Sequence, residues 1–227
     1  MGYGIKLRVW GEYACFTRPE MKVERVSYDM MTPSAARGII EAIYWKPAIR
    51  WIIDKIHVIN PINFTNVRRN EVSEVLKLGN VKNAMDKSEP LYIVAPENRH
   101  QRAALILKDV EYVIEAHFDL NQEKAGESDT IEKHYNIVMR RLRQGQCFYR
   151  PSLGTREFGA SFEIIENEVE IPKSKLQYEL DLGYMLFDMN FTLNELKTRQ
   201  SVNPSFFRAK LINGVLDLTQ IRNEVRV

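Results

Sequence analysis

The sequence predicts an α+β protein of the ferredoxin-like (RRM-like) class followed by a small antiparallel β-rich lobe, and three observations predict it. Two stretches, 32–47 and 128–145, carry apolar residues at helical spacing between recognisable ends. The segments around them alternate with period two. In chain order they read strand, helix, strand, strand with an insertion, helix, strand, which is the split βαβ arrangement with both helices on one sheet face. After Glu168 the pattern is purely β. The expected division is 1–167, with an inserted segment near 79–102, and 168–227.

Residues 4–10 place Ile5, Leu7 and Val9 on one face and Lys6, Arg8 and Trp10 on the other, as a strand with one buried face does. Residues 11–31 have no clean period, and Pro19 breaks any helix. Phe16, Arg18, Lys22 and Arg25 in that loop suit stacking and phosphate contacts to a nucleic acid, and equally an ordinary charged surface loop. Thr32-Pro33 opens the first helix with a capping hydroxyl and a proline at the first helical position. Ala36, Ile39, Ile40 and Ile43 form its buried stripe, and Pro47 stops it. Tyr44 falls at the end of that stripe, so its hydroxyl can reach solvent or a ligand, or the ring can simply close the edge of the core.

Residues 49–60 read as a second strand, with 64–75 as its antiparallel partner and Arg68-Arg69 in a solvated turn. Residues 79–101 read as an inserted loop. Residues 104–120 alternate, with Val110, Tyr112, Ile114, Ala116 and Phe118 facing in and His117 exposed. Residues 128–144 form the second helix, started by Asp129 with Glu132 and stopped by Gly145. Its apolar stripe is Ile131, Tyr135, Val138 and Leu142. Lys133 and His134 lie in the first turn off that stripe, which fits acid–base chemistry on a phosphodiester or a solvated helix face. Residues 147–148 and 156–165 resemble strands. In the tail, alternation switches parity beside Gly183, which predicts a bulge or a strand whose two ends are buried on opposite sides, and Asn213-Gly214 predicts a hairpin.

The net charge of +2 conceals a strong local polarity. Residues 109–132 are rich in carboxylates, whereas Lys133, Arg140, Arg141, Arg143, Arg150 and Arg156 follow with no carboxylate before Glu157. Such a run favours a polyanion. Cys15 and Cys147 are too far apart for a disulfide framework or a zinc knuckle. No compact Asp/Glu/His cluster suggests a two-metal site. With no apolar run of about 18 residues and no signal-peptide pattern, the expectation is a cytoplasmic protein without membrane partners.

Three motifs stand together: EAIYWKP at 41–47, EKHYN at 132–136 and SLGTREF at 152–158, after the opening GEYACFTRPEMKVERVSYDMMTPSAARGI. In combination they resemble the CRISPR-associated RAMP-type endoribonucleases of type I-C systems, most closely over 1–60 and 110–165. The resemblance implies metal-independent cleavage of precursor CRISPR RNA at the base of the repeat hairpin, with no cofactor. It also implies retention of the crRNA 5′ handle among the other type I-C Cascade subunits. On this resemblance Tyr44, Lys133 and His134 are the catalytic set. Lys22, Arg25, Arg140, Arg141, Arg143 and Arg156 are the candidates for holding RNA. The alternative is a scaffold subunit that binds the 5′ handle without turnover.

Overall fold

A computed structural model describes residues 3–21, 23–166, 170–193 and 200–221. The opening alternation becomes β1 (Gly4–Ala14), with Ile5, Leu7 and Val9 buried. The first helix, α1 (Pro33–Ile43), begins as its sequence requires, with Thr32 Oγ1 accepting the Ala35 N–H at 3.2 Å. Its buried side chains include Ala36, Ile39, Ile40 and Ile43. There follow β2 (Ile49–Val58), β3 (Phe64–Val72), α2 (Leu78–Lys87), the long β4 (Arg99–Leu120) and α3 (Ile131–Arg143). The chain continues through β5 (Ser161–Ile164), β6 (Glu179–Leu193), β7 (Gln200–Ile212) and β8 (Val215–Asp217).

The strands lie in the order β5-β1-β4-β2-β8-β7-β6, with β3 on β4 outside this path. The first four give the ferredoxin-like order, with β1 and β2 flanking β4 antiparallel on either side. The stripe of α1 shares one core with Val138 and Leu142 of α3 and with Leu7, Trp51, Ile56 and Ile114 of the sheet. The same cluster takes in Met185, Phe207, Leu211 and Leu216. Through β8, which pairs with β2 at Lys55–His57, the strands of the tail continue the main sheet. Arg37 of α1 fastens the β6–β7 hairpin with a two-pronged contact to Asp188, one arm at 2.7 Å from Nη2 to Oδ1.

Several local expectations hold. Gly183 has φ +69°, and the β6–β7 register shifts between Asp181 and Gly183. Asn213 and Gly214 both have positive φ, 52° and 76°, and turn β7 into β8, the geometry that Asn-Gly favours. Gly145, at φ +62°, follows the end of α3.

Others need correction. Residues 64–72 pair with β4, from Phe64↔Leu107 to Val72↔Arg99, and not with β2. The reason is the length of β4, whose first half runs past the four-stranded core and takes its own partner. Arg68 and Arg69 therefore sit within a strand. The insertion is not a bare loop, since it contains α2 and the start of β4. Residues 147–148 and 156–160 are not strand, apart from an isolated bridge between Ser152 and Gly159, and Ser161–Ile164 pairs with β1. Phe16 is buried rather than offered for stacking. His117 is half-buried, its Nδ1 2.6 Å from Asp54 Oδ2.

The 152–159 segment closes into a loop through Leu153 N–H to Phe158 C=O at 2.7 Å, and Cys15 N–H reaches Leu153 C=O at 3.0 Å. Gly154 makes that approach possible. Its φ is +87°, and a β-carbon there would lie 2.0 Å from the carbonyl oxygen of Cys15, a clash with backbone that no rotamer relieves. Gly154→Ala is expected to cost about 3 kcal/mol of stability, read as a lower urea midpoint with the same slope.

Candidate active site

The site forms where the end of α1 meets the start of α3. Tyr44 is the first residue beyond α1 and leaves it in an extended conformation, φ −151° and ψ 121°. Its backbone is held at both ends. The N–H donates to Ile40 C=O at 2.9 Å, and the C=O accepts from Trp51 Nε1 at 2.9 Å. Pro47 prevents the helix from running on. The ring is thereby turned inward, and Tyr44 is buried, its hydroxyl 2.7 Å from His134 Nδ1. The hydroxyl that the sequence offers to solvent or ligand is bonded to a histidine.

The start of α3 also differs from its sequence reading. Thr130, not Asp129, is the N-cap, and its side chain accepts the Lys133 N–H at 3.2 Å. His134 is 2% exposed and lies on the buried stripe with Val138 and Leu142, whereas Ile131 is 40% exposed. The helix is rotated so that the imidazole, and not the isoleucine, packs inward. There it meets the ring edge of Phe118, centroids 6.4 Å apart, and the ring of Tyr44 at 6.0 Å.

Released from capping, Asp129 joins the site. Its Oδ2 accepts the Gly126 N–H at 3.1 Å. Its Oδ1 is 3.2 Å from Lys133 Nζ and 3.3 Å from His134 Nε2. The second distance is an ion-pair approach without hydrogen-bond geometry, so buried Nε2 has no hydrogen-bond partner among the described residues. Lys133 Nζ also reaches Ser128 C=O at 3.1 Å and Ser128 Oγ at 3.4 Å. A cleft of about 380 Å³ opens over these groups, lined by Tyr44, Lys46, Lys124, Asp129, Lys133 and His134. Three lysines at one mouth favour an anionic occupant.

Burial holds His134 below the ordinary histidine range, with Asp129 opposing that shift and Lys133 adding to it. The ring is therefore neutral near pH 7 and free to take a proton. Burial raises the Tyr44 hydroxyl above the usual tyrosine range, against Arg141 and with Asp129, so it stays protonated. The Gly126 N–H and Lys133 keep Asp129 below the carboxylate norm and ionised.

Of the six RNA-binding candidates, three are engaged by other groups of the chain. Arg141 turns inward, donating from Nη1 to Ile43 C=O at 2.7 Å with its guanidinium 5.1 Å from the centre of the Tyr44 ring. It thus closes the end of α1 and covers the tyrosine. Arg143 is paired with Glu166 at 2.7 and 3.1 Å, and Arg25 with Glu71 at 3.3 Å. Arg140 and Arg156 are exposed, and their side chains make no ion pair or hydrogen bond among the described residues. Lys22 lies outside the described residues. Sequence reasoning missed Asp129, Lys46 and Lys124 as lining groups. The available signal was the acidic residue in the loop five positions before His134. Among the described residues, no three His, Cys, Asp or Glu side chains are grouped to hold a metal ion, and no helix is long and apolar enough to cross a membrane.

A ferredoxin-like sheet with a tyrosine–histidine pair in a lysine-lined cleft suits a polyanionic ligand such as nucleic acid, and comparison with known proteins narrows the class. Residues 4–219 match the family described as CRISPR-associated protein (Cas5). A protein of Mannheimia succiniciproducens named CRISPR pre-crRNA endoribonuclease Cas5d is 50% identical over 223 residues, 96% of each chain. A protein of the same name from Thermus thermophilus is 41% identical, over 94% of this chain and 90% of its own. Among solved structures, one titled as a CRISPR-associated protein superposes with TM-score 0.70 at 25% identity, covering 100% of this chain and 97% of the other. A Streptococcus mutans protein described as functionally uncharacterized has the same fold, with TM-score 0.69 at 23% identity and coverage of 100% and 96%. The chain belongs to the Cas5 family of CRISPR-associated proteins.

The buried neutral imidazole has a consequence for stability. Because the folded state holds His134 below its unfolded value of about 6.5, the unfolded chain binds the extra proton first as pH falls. The stabilisation is complete above that value and is lost as pH drops through the folded value. In urea titrations between pH 7.5 and 5, His134→Gln is expected to show a flatter loss of stability than the wild-type chain.

Proposed function

We propose that this chain is a metal-independent endoribonuclease that cleaves precursor CRISPR RNA at the base of the repeat hairpin. It then stays on the crRNA 5′ handle as a subunit of a cytoplasmic type I-C Cascade. The observation that carries the reading is the 2.7 Å contact between the Tyr44 hydroxyl and His134 Nδ1, beside Lys133 in a cleft lined by lysines. The names of the two curated relatives support the activity and the substrate.

RNA brings its own nucleophile. The 2′-oxygen attacks the adjacent phosphorus, the new 2′-O–P bond forms as the P–5′-O bond breaks, and the products are a 2′,3′-cyclic phosphate and a 5′-hydroxyl. Holding attacking and leaving oxygens in line is the main task of the protein. His134 Nδ1 is occupied by the Tyr44 hydroxyl, so the imidazole works through it. The tyrosine accepts the 2′-OH proton and passes its own to Nδ1, while the departing 5′-oxygen takes a proton from water at the mouth of the cleft, to which the imidazolium later returns one through Tyr44. This asks for a protonated Tyr44 and a neutral His134, the states that their burial favours. A general base of this kind contributes about 10²–10⁴-fold. Lys133 stabilises charge on the nonbridging oxygens, provided that it leaves Ser128 and Asp129 for the phosphate. Lys46 and Lys124 draw the backbone in. Both rings are almost covered in the free protein, so the scissile phosphate has to seat on the cleft floor.

The test compares an all-RNA repeat hairpin with one carrying a 2′-deoxy sugar at the scissile position, both in EDTA. Cleavage of the all-RNA hairpin alone, at one site, abolished in His134→Gln with binding retained, is the expected result. If neither substrate is cut while both bind tightly, the chain is a crRNA-holding scaffold. If cutting needs a divalent ion, the catalytic assignment is wrong.

RNA grip is expected to fall on the unpaired arginines. Replacing Arg140 or Arg156 with Ala should weaken hairpin binding and reduce the slope of log K against log salt by about one per residue. Replacing Arg141, which is spent on Ile43 and Tyr44, should instead lower thermal stability.

A further inference from the structure

We infer that Asp129 is a positioning residue, which fixes the tautomer of His134 by holding the proton on Nε2 so that the Nδ1 lone pair faces the Tyr44 hydroxyl. The inference rests on the ribonuclease reading for its consequence, and on geometry for its content. A neutral imidazole carries one proton on two nitrogens. Nδ1 lies 2.7 Å from the tyrosine oxygen, and Nε2 lies 3.3 Å from the carboxylate oxygen of Asp129. With the proton on Nδ1, the Nε2 lone pair would confront a carboxylate inside a buried pocket, and Tyr44 would have to accept rather than donate. With the proton on Nε2, the positive end of the N–H lies beside the anion, a 3.3 Å approach without hydrogen-bond alignment, and the tyrosine donates to Nδ1. Both contacts are then attractive.

The carboxylate is itself fixed for this task. Oδ2 is held by the Gly126 N–H at 3.1 Å, and in the free protein Oδ1 also meets Lys133 Nζ at 3.2 Å; when Lys133 turns to the phosphate, the Gly126 contact still keeps the carboxylate beside the ring. The other groups facing His134 do not compete for the Nε2 proton. Lys133 and Lys46 are cations, Phe118 is apolar, and Arg141 lies against the far ring, Tyr44. The chain of groups is carboxylate, imidazole, hydroxyl, with the hydroxyl presented to the substrate. Its logic is that of hydrolases in which a buried carboxylate orients a histidine behind a nucleophile, except that here the final hydroxyl relays the proton of the RNA 2′-OH. On taking that proton the ring becomes an imidazolium with Asp129 already in place to balance it.

The first measurement needs no cleavage. In the full chain labelled with ¹⁵N-histidine, the His134 resonances, assigned by their loss in His134→Gln, are expected to report the Nε2-protonated tautomer. Protonation on Nδ1 overturns the inference. The second uses Asp129→Asn, whose amide can donate as well as accept. Single-turnover cleavage is expected to fall about 10²–10⁴-fold, with hairpin affinity kept and the acidic limb of the pH–rate profile moved to lower pH. Asp129→Glu is expected to restore part of the rate. An unchanged limb, with loss only of folding or of RNA affinity, would mean that Asp129 merely braces its loop, and would sink the inference. A wild-type chain that leaves the hairpin uncut defeats the ribonuclease reading instead, while the tautomer assignment is still decided by the resonances.

Discussion

A histidine with almost no solvent exposure, in a stripe otherwise apolar, sets the terms for the whole site. A buried imidazole favours polar groups beside its nitrogens, and the two groups that face them come from different parts of the chain. Tyr44 answers Nδ1 from the end of α1, and Asp129 stands opposite Nε2 from the loop before α3. The ferredoxin-like crossing brings those two places together, since both helices pack on one sheet face and share its core. Arg141 reinforces the junction by closing the last turn of α1 and covering the tyrosine ring. The polar site is therefore part of the packing that holds the helices, and it cannot be loosened without loosening them.

The sheet supports this by dividing β4. The second half of the strand lies between β1 and β2 at the centre of the core, and supplies Phe118 to the histidine pocket. The first half pairs with β3. Asp109, with φ +53°, sits where the two halves meet. On the far side, Arg37 and Asp188 tie the β6–β7 hairpin to the exposed side of α1, so the helix whose end presents Tyr44 is held along its length.

What could be read from the sequence was what is local. The cap of α1, its stripe, the bulge at Gly183 and the Asn213-Gly214 turn each depend on a few neighbouring residues, and each is found where its chemistry places it, whereas α1 ends at Ile43, a turn before Pro47 and with Tyr44 outside it. The partner of 64–72 was not legible, because register is decided between strands far apart in sequence. The stripe of α3 was misjudged because a pattern of apolar residues counts histidine as polar and turns it outward. Here the Tyr44 and Asp129 contacts make burial affordable. Asp129 resembled a cap because aspartate is a good one, but the adjacent Thr130 took that role. Arg141 and Arg143 looked like free cations, since sequence does not reveal a carbonyl or a glutamate waiting across the fold. Tyr44, Lys133 and His134 came from family resemblance, and the structure sets them around one cleft.

No residue between 64 and 103 is buried, although that stretch holds β3, α2 and the beginning of β4. Substitutions there disturb little of the packing on which folding depends. Natural variation can accumulate in this arm at small thermodynamic cost, while the helix junction around His134 tolerates very little. A single chain thus holds a closely packed polar junction and a thinly packed periphery, and the second can be altered without disturbing the first.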